Sequence, residues 1–191
     1  MATTRTPRKT PKPTLVRLLQ IRIAMVAIGA PVLRGQGQPG MVEAARNYLA
    51  RLDLSKFGIN IVDSEAVFLK ALDRHTKKLA NKFPGKGLGN WGAARKSLNL
   101  FLRDVVESRS LCDKYKLQHI EKWLEVPLDS HVARGLCSGW PRIRYLTPCV
   151  SDEYQALASI MAEMLGCSRV ALDLNLWRGE QINELLPTGA H

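Results

Sequence analysis

The chain has 191 residues and a formal net charge of +11 at pH 7, with 46% hydrophobic and 24% charged residues. This composition excludes a disordered or fibrous chain, and a domain of this length buries enough apolar surface to fold without a disulfide or a metal. The charge does not determine the fold, but it favours a polyanionic partner.

Apolar residues recur at helical spacing from residue 14 onwards, whereas residues 1–13 form a basic arm with nothing to bury. We expect this arm to be flexible until it meets a partner, and residues 14–191 to form one domain. The first predicted helix runs from Thr14 to the Gly29–Pro31 turn, and the third begins at a cap at Asp63 or Ser64 and ends before Phe83. The other predicted helices cover residues 41–52, 92–108, 115–124, 130–137, 151–165 and 168–185. Residues 59–62 are β-like but are interpreted as a loop. The prediction is an all-α fold of about eight helices.

Positive charge is concentrated in two stretches that contain no acidic residue. The first, residues 1–42, holds seven basic residues, and the second, between Asp73 and Asp104, holds eight. Because neutralising a phosphate releases condensed counterions, acid-free basic tracts are typical of nucleic-acid-binding surfaces. A solvated surface that only keeps the protein soluble is the alternative interpretation.

The four cysteines, Cys112, Cys137, Cys149 and Cys167, are separated by 25, 12 and 18 residues and include no CxxC pair. This spacing matches neither a zinc ribbon nor an iron–sulfur cluster, so we expect buried thiols and no metal or other cofactor. The longest apolar run, residues 23–33, has 11 residues, which is too short to span a bilayer. It also lacks a convincing cleavage site for export. We therefore expect a cytoplasmic monomer that does not bind membranes.

The segment Val126-Pro-Leu-Asp-Ser-His-Val-Ala-Arg134 resembles the V-D-T-H-V-x-R segment of the helix-hairpin-helix DNA glycosylases. In that superfamily the aspartate stands at a helix N-terminus beside the target nucleotide, so the resemblance implies this role for Asp129. Breaking a glycosidic bond builds positive charge on the sugar, which a fixed carboxylate stabilises. The same carboxylate can deprotonate an attacking nucleophile. An ordinary helix N-cap is the alternative interpretation.

Residues 84–87 (Pro-Gly-Lys-Gly) and 95–98 (Arg-Lys-Ser-Leu) resemble the glycine hairpin of the same superfamily and its P-G-[VI]-G-x-K-T-A ending, here split by extra residues. In bifunctional members the lysine of that ending attacks the sugar C1′, forms a Schiff base and cuts the strand by β-elimination. The resemblance implies that Lys96 is this nucleophile, and we expect burial near Arg95 to desolvate its amine. One more lysine on a basic face is the alternative.

The same hairpin predicts the contacts to DNA phosphates. Glycine removes the side chain that would keep a backbone amide away from a phosphate. The predicted phosphate-binding residues are Gly85, Lys86, Gly87, Gly89 and Arg95.

Two further features are similar to the archaeal-type 8-oxoguanine DNA glycosylases, a divergent branch of this superfamily. The separation of 33 residues between Lys96 and Asp129 is close to that branch, and residues 172–177 (Leu-Asp-Leu-Asn-Leu-Trp) are similar to its L-D-[SL]-x-L-W helix. The resemblance implies that Asp173 hydrogen-bonds a flipped base while Trp177 stacks on it. The other wall of the pocket could be formed by one of Trp91, Trp123 and Trp140, of which Trp91, near Lys96 in the sequence, is the best placed; a core position is the alternative for each. A core tryptophan beside a capping aspartate is the alternative.

Together these motifs predict a DNA glycosylase with two helical lobes, a helix-hairpin-helix-like element and a DNA- and base-binding cleft. It would flip a modified base out of double-stranded DNA and excise it, with 8-oxoguanine as the first expected base. The divergent first half leaves room for a bulky base, such as the glucosylated hydroxymethylcytosine that some phages install, which would make the protein an antiviral glycosylase. A glutamine that contacts the base in the archaeal-type branch corresponds to Gln20, Gln36, Gln38 or none. A non-catalytic helical DNA-binding protein is the alternative of another class.

Overall fold

The computed structural model describes residues 14–36, 38–137 and 139–176, which contain helices and no β-strand. The α-helices are α1 (Leu15–Ala27), α2 (Met41–Leu49), α3 (Glu65–Ala80), α4 (Trp91–Glu107), α5 (Arg109–Tyr115), α6 (Ser130–Leu136) and α7 (Pro148–Leu165). Short 3₁₀ segments lie at Ala30–Leu33, Leu54–Phe57, Gly85–Gly87, Gln118–Trp123, Ile143–Tyr145 and Arg169–Ala171. The predicted all-α fold is confirmed over these ranges.

Polar side chains cap the starts of α4 and α7, the two longest helices. The Asn90 side chain accepts a hydrogen bond of 3.0 Å from the amide of Ala93 at the start of α4. Thr147 accepts one of 3.3 Å from the amide of Val150 at the start of α7. These caps satisfy amides that have no partner within the helix. Pro148, the first residue of α7, has no amide to satisfy and therefore strengthens this helix start.

Helix α4 lies at the centre of the larger hydrophobic cluster. It packs against α1, α2, α3 and α5, and its residues 92–102 are all buried. Leu98, Phe101 and Leu102 are completely inaccessible to solvent. Truncating a phenylalanine in such a position costs about 3–5 kcal/mol. Because packing on several sides fixes the orientation of α4, it also fixes the direction in which the polar side chains of this helix point.

Helices α3 and α4 pack against each other and are joined by residues 81–90. Phe83 is 2% exposed and fixes this connection to the core. Gly85 and Gly89 have φ values of +51° and +77°, in the left-handed region that glycine enters without a Cβ clash. The glycines therefore let the chain reverse direction between two packed helices.

A second hydrophobic cluster is formed by the later part of the chain. Its buried members are Val126, Leu128, Val132, Ala133, Leu146, Tyr154, Ala158, Ala162 and Leu172. Trp91, in the first turn of α4, packs against this cluster, while Ala93 and Leu98 belong to the larger one. Helix α4 thus contacts both clusters, which places the segment that leads into α6 against it.

Several predicted boundaries differ from the observed ones; α2, for example, ends at Leu49 rather than at residue 52. The helix predicted over 115–124 is instead a 3₁₀ segment, and α5, which was not predicted, precedes it. Helix α7 begins at Pro148 rather than at residue 151. Of the helix predicted over 168–185, the described part is helical from Arg169 to residue 176, and the remainder lies outside the described residues, as does the arm at 1–13. The loop predicted over 59–62 is confirmed.

Among the described residues, no helix combines the length and the apolar character that crossing a membrane requires.

Candidate active site

Lys96 and Asp129 form an ion pair although 33 residues separate them in the chain. The Lys96 Nζ lies 3.0 Å from Oδ2 of Asp129, and the two side chains are 10% and 15% exposed. Lys96 leaves the buried face of α4, and Asp129 stands immediately before α6. The structure therefore brings together the two residues that the sequence predicts to be catalytic.

The two carboxylate oxygens of Asp129 have different partners. Oδ1 accepts hydrogen bonds from the amides of His131 (2.8 Å) and Val132 (3.0 Å), which makes Asp129 the N-cap of α6. Oδ2 accepts from Lys96. The N-cap interpretation is confirmed, and it leaves the second oxygen available to a cationic partner. The cap also fixes the direction in which Oδ2 points.

The environment of Asp129 favours its ionised form. Burial alone would raise the pKa of this carboxyl, but the charge of Lys96 and the hydrogen bonds from Val132, Lys96 and His131 outweigh burial and hold the pKa below its ordinary value. Asp129 is therefore a carboxylate at neutral pH, which is the form that can stabilise a neighbouring cation.

A third chain segment completes the surroundings of the lysine. The Lys96 Nζ also donates to the carbonyl oxygen of Val32 at 3.3 Å, within the 3₁₀ segment that follows α1. Lys96 as a whole is 9% exposed. Its ammonium group therefore lies at the junction of three elements and is directed by two acceptors.

Arg95 has a different role from the predicted one. Its guanidinium binds both oxygens of Glu125, through Nε at 2.7 Å and Nη2 at 2.6 Å, and Nη1 contacts Asp73 at 2.6 Å. Glu125 also accepts from Asn99 at 3.0 Å. With only 7% of its side chain exposed, Arg95 is not placed to meet a DNA phosphate. We correct the predicted phosphate contact to a buried ion pair.

One pocket beside the ion pair, which we call the inner pocket, has a volume of about 270 Å³ and is lined by Lys96, Asp129, Arg103 and Asp173 among others. Arg103 Nη1 lies 2.5 Å from Oδ2 of Asp173, and its Nη2 lies 2.9 Å from Asp104. Burial raises the pKa of Asp173; Arg103 opposes this effect, whereas the negative charge of Asp129 adds to it. The structure thus places the predicted base-binding aspartate next to the predicted catalytic residues.

A larger pocket of about 1040 Å³, which we call the basic pocket, also adjoins this ion pair. Lys96 and Asp129 line both pockets. The basic pocket is also lined by four exposed arginines, Arg34, Arg134, Arg142 and Arg144. The last three lie outside the two acid-free basic tracts of the sequence, and the fold brings them to one pocket with Arg34. Asp129 is the one acidic residue among the described residues that line this pocket.

Two backbone amides of the glycine hairpin that were predicted to bind phosphate are already hydrogen-bonded within the protein. The amide of Gly87 donates to the carbonyl oxygen of Pro84 inside the turn, and the amide of Gly89 donates to the carbonyl oxygen of Ala80 at the end of α3, at 3.0 Å each. A Cβ on Gly87 would lie 2.6 Å from the Met41 sulfur, so this glycine permits close packing. We therefore correct the predicted phosphate contacts of these two amides. Gly85 and Lys86 are exposed at the tip of the turn and keep the predicted role as an expectation.

Of the tryptophans and glutamines predicted to contact the base, Trp91 and Gln20 are found in structural roles instead. Trp91 packs in the second hydrophobic cluster and under the Arg95 guanidinium at 5.2 Å, and it lines neither pocket, so its predicted role as a pocket wall is corrected. Trp177 lies outside the described residues. Gln20 is buried and donates to the carbonyls of Leu49 and Leu52, which is a structural role.

The cysteines contribute little to the site. All four thiols are free. Cys112 is buried, but Cys149 is exposed, so the expectation of buried thiols is wrong for that residue. Within the described ranges, no group of three or more His, Cys, Asp and Glu side chains is arranged to hold a metal ion.

Comparison with known protein families finds no model that matches this chain, and neither the curated proteins nor the solved structures contain a match.

Proposed function

We propose that the protein is a DNA glycosylase that removes a modified base from double-stranded DNA, with Lys96 as nucleophile and Asp129 as its electrostatic partner. The observation that carries this proposal is the ion pair of 3.0 Å between them at the boundary of two pockets. The resemblance to the helix-hairpin-helix glycosylases implies catalytic roles for the same two residues. A purely structural ion pair would not need to lie in an accessible pocket.

The chemistry follows from the charges of the pair. As the bond between the sugar C1′ and the base breaks, the Asp129 carboxylate stabilises the positive charge that develops on the sugar. The Lys96 nitrogen then bonds to C1′, and one proton of its ammonium passes to the departing base. Ring opening moves a second proton from this nitrogen to the sugar O4′ and leaves a protonated Schiff base, from which β-elimination cuts the strand.

The two pockets offer separate places for the base and for the strand. We assign the flipped base to the inner pocket, whose volume of about 270 Å³ is just below the range of about 300–1,000 Å³ typical of ligand sites. Arg103 and Asp173 present a donor and an acceptor there. 8-Oxoguanine, which has both kinds of group on its edge, is the first substrate to test.

A bulkier base is the second candidate, and the size of the basic pocket supports it. Because that pocket adjoins the ion pair and has a volume of about 1040 Å³, a sugar attached to a cytosine could extend into it. In this case the protein would act on glucosylated phage DNA and serve in defence. For either substrate, we assign the two hydrophobic clusters to the two lobes of the glycosylase. The helix-hairpin-helix element then consists of α3, residues 81–90 and α4. The DNA would lie in the cleft between the lobes.

The proposal is tested by base release from a panel of duplexes that includes 8-oxoguanine and glucosylated hydroxymethylcytosine. The wild-type chain should release one of these bases, and Lys96→Gln should release none while it still binds the duplex. Lys70→Gln, a change at an exposed lysine of α3 outside both pockets, is the matched control and should release the base at the wild-type rate. If no base is released by the wild-type chain, the protein is a DNA-binding module without this chemistry.

A further inference from the structure

Arg142 has a backbone conformation that arginine rarely adopts. Its φ is +70° and its ψ is 141°, close to a region that only glycine populates readily. A non-glycine residue held in such a region costs free energy, and it persists only where the surrounding structure imposes it. Such residues are concentrated at functional sites, which makes the surroundings of Arg142 informative.

The loop that carries Arg142 is pressed against the helix that carries Lys96. A Cβ on Gly92 would lie 2.2 Å from the carbonyl oxygen of Ile143 and 2.9 Å from the Leu146 Cβ. Only glycine therefore allows this loop to approach the first turn of α4 so closely. Gly92 is one helical turn before Lys96. The arginines of the loop are thus held at a fixed position relative to the ion pair.

Four arginines converge on the basic pocket from three parts of the chain. Arg34 follows the first 3₁₀ segment, Arg134 lies in α6, and Arg142 and Arg144 flank Ile143. Among the described residues, none of the four forms an ion pair with an acidic side chain. Exposed arginines without acidic partners, spread around a large pocket, can meet several anionic groups at once. The successive phosphates of a nucleic-acid strand are a series of anionic groups that such a set of arginines can bind.

We infer that residues 142–144 form a phosphate clamp that holds the DNA backbone beside the reacting nucleotide. The strained backbone of Arg142 presents its guanidinium to the basic pocket, where a planar guanidinium can bind a phosphate through two hydrogen bonds. This inference rests on the proposed function for the identity of the strand as DNA. The clamp contributes affinity and position, and it takes no part in the bond-breaking step.

The clamp predicts an unusual combination of effects for Arg142→Gly. Glycine adopts the observed φ without strain, so the thermal midpoint should not fall and should rise by up to about 4 °C. Binding of an unmodified duplex should weaken roughly tenfold, and the slope of log affinity against log salt should decrease by about 0.9 for each phosphate that is no longer neutralised. Arg142→Ala, which removes the guanidinium but not the strain of the backbone, should lose affinity in the same way without a rise in the thermal midpoint.

Lys116→Gly is the matched control. Lys116 is the other described non-glycine residue with positive φ (+54°), and it lies at the end of α5, outside both pockets. Its backbone is in the left-handed helical region (φ 54°, ψ 58°), which is less costly than that of Arg142. This variant loses one cation at a position of positive φ, and its duplex affinity and salt slope should equal those of the wild-type chain. The clamp is refuted if the two glycine variants bind the duplex equally, or if Arg142→Gly lowers the thermal midpoint.

The measurement separates this inference from the proposed function. A wild-type chain that binds duplex with a steep salt dependence but releases no base would refute the glycosylase and leave the clamp standing. Conversely, base release that is unaffected by Arg142→Gly at sub-saturating duplex would refute the clamp alone. Inorganic phosphate at the same phosphate concentration should not displace the duplex, and full displacement would contradict a multi-phosphate site.

Discussion

Arg95 and Glu125 join the two parts of the chain that carry the candidate catalytic residues. Arg95 precedes Lys96 on α4, and Glu125 lies four residues before Asp129. Their two hydrogen bonds of 2.7 and 2.6 Å are buried. Because this bidentate contact resists both sliding and rotation, it holds the segment that leads into α6 in register with α4, and hence Asp129 with Lys96.

Breaking this contact on one side should destabilise the protein strongly. Glu125→Gln leaves the buried Arg95 without its main counter-ion, which costs about 3–5 kcal/mol in the free energy of unfolding. Replacing both residues with leucine and methionine should recover much of that loss. Glu65→Gln, which breaks the more exposed pair with Arg169, is the control and should cost less than about 1 kcal/mol. Denaturant unfolding measures all three, and equal losses for the two single variants would contradict the positioning role.

The low pKa of Asp129 makes its contribution to stability depend on pH. A carboxyl whose pKa is lower in the folded than in the unfolded state stabilises the fold above the unfolded value, near 3.8, and loses this contribution as the pH falls through the folded value. Asp129→Asn keeps an N-cap but removes the charge. The wild-type advantage in unfolding free energy should therefore be largest near neutral pH and should disappear in acid, as the pH falls below 3.8 and through the lower folded pKa. A pH-independent difference between the two proteins would show that the ion pair with Lys96 does not stabilise the fold.

Asp173→Asn should alter the choice of base more than the binding of DNA. In the inner pocket, where Asp173 contacts Arg103 at 2.5 Å, the substitution replaces one acceptor oxygen with an amide donor and removes the negative charge. It removes no phosphate contact. The ratio of kcat/KM between two modified duplexes should fall, with the affinity for unmodified duplex unchanged. Asp113→Asn, at an exposed residue paired loosely with Arg109, should leave both quantities unchanged. Unaltered selectivity in Asp173→Asn would assign this aspartate a purely structural role.

The basic arm should act through charge alone. Deleting residues 2–12 removes four cations, Arg5, Arg8, Lys9 and Lys12. Binding should therefore weaken for every duplex alike, and the salt slope should decrease by about 0.9 for each phosphate that the arm neutralises. Binding measured at several salt concentrations, on modified and unmodified duplexes, checks this. A changed preference between duplexes would show that the arm reads the substrate.

Much of the helical pattern was predictable because its signals are local. Asp129 was expected to cap a helix, and it does. Helix α5 was missed because the break at Ser108 is not marked by glycine or proline; its backbone (φ −78°, ψ 98°) departs from the helix without such a residue. The start of α7 was placed too late, although Thr147 followed by Pro148 is an ordinary helix-start signal.

The candidate site was predictable only in part, because distant contacts leave little trace in one sequence. Lys96 and Asp129 were named through a resemblance, and the fold brings them together. Arg95 was misplaced because neighbouring residues on a helix point about 100° apart, so it faces Glu125 while Lys96 faces the pockets. The conformation of Arg142 could not be predicted, since the packing of its loop on Gly92 imposes it.

Covalent trapping tests the central claim most directly. Borohydride reduces a Schiff base to a stable amine, so the wild-type chain incubated with a duplex whose modified base it releases should yield a protein–DNA adduct. Peptide mapping should place the adduct on Lys96, and Lys96→Gln should give none although it binds the duplex. An adduct on another lysine, or an undiminished adduct with Lys96→Gln, would contradict the assignment of Lys96 as the nucleophile.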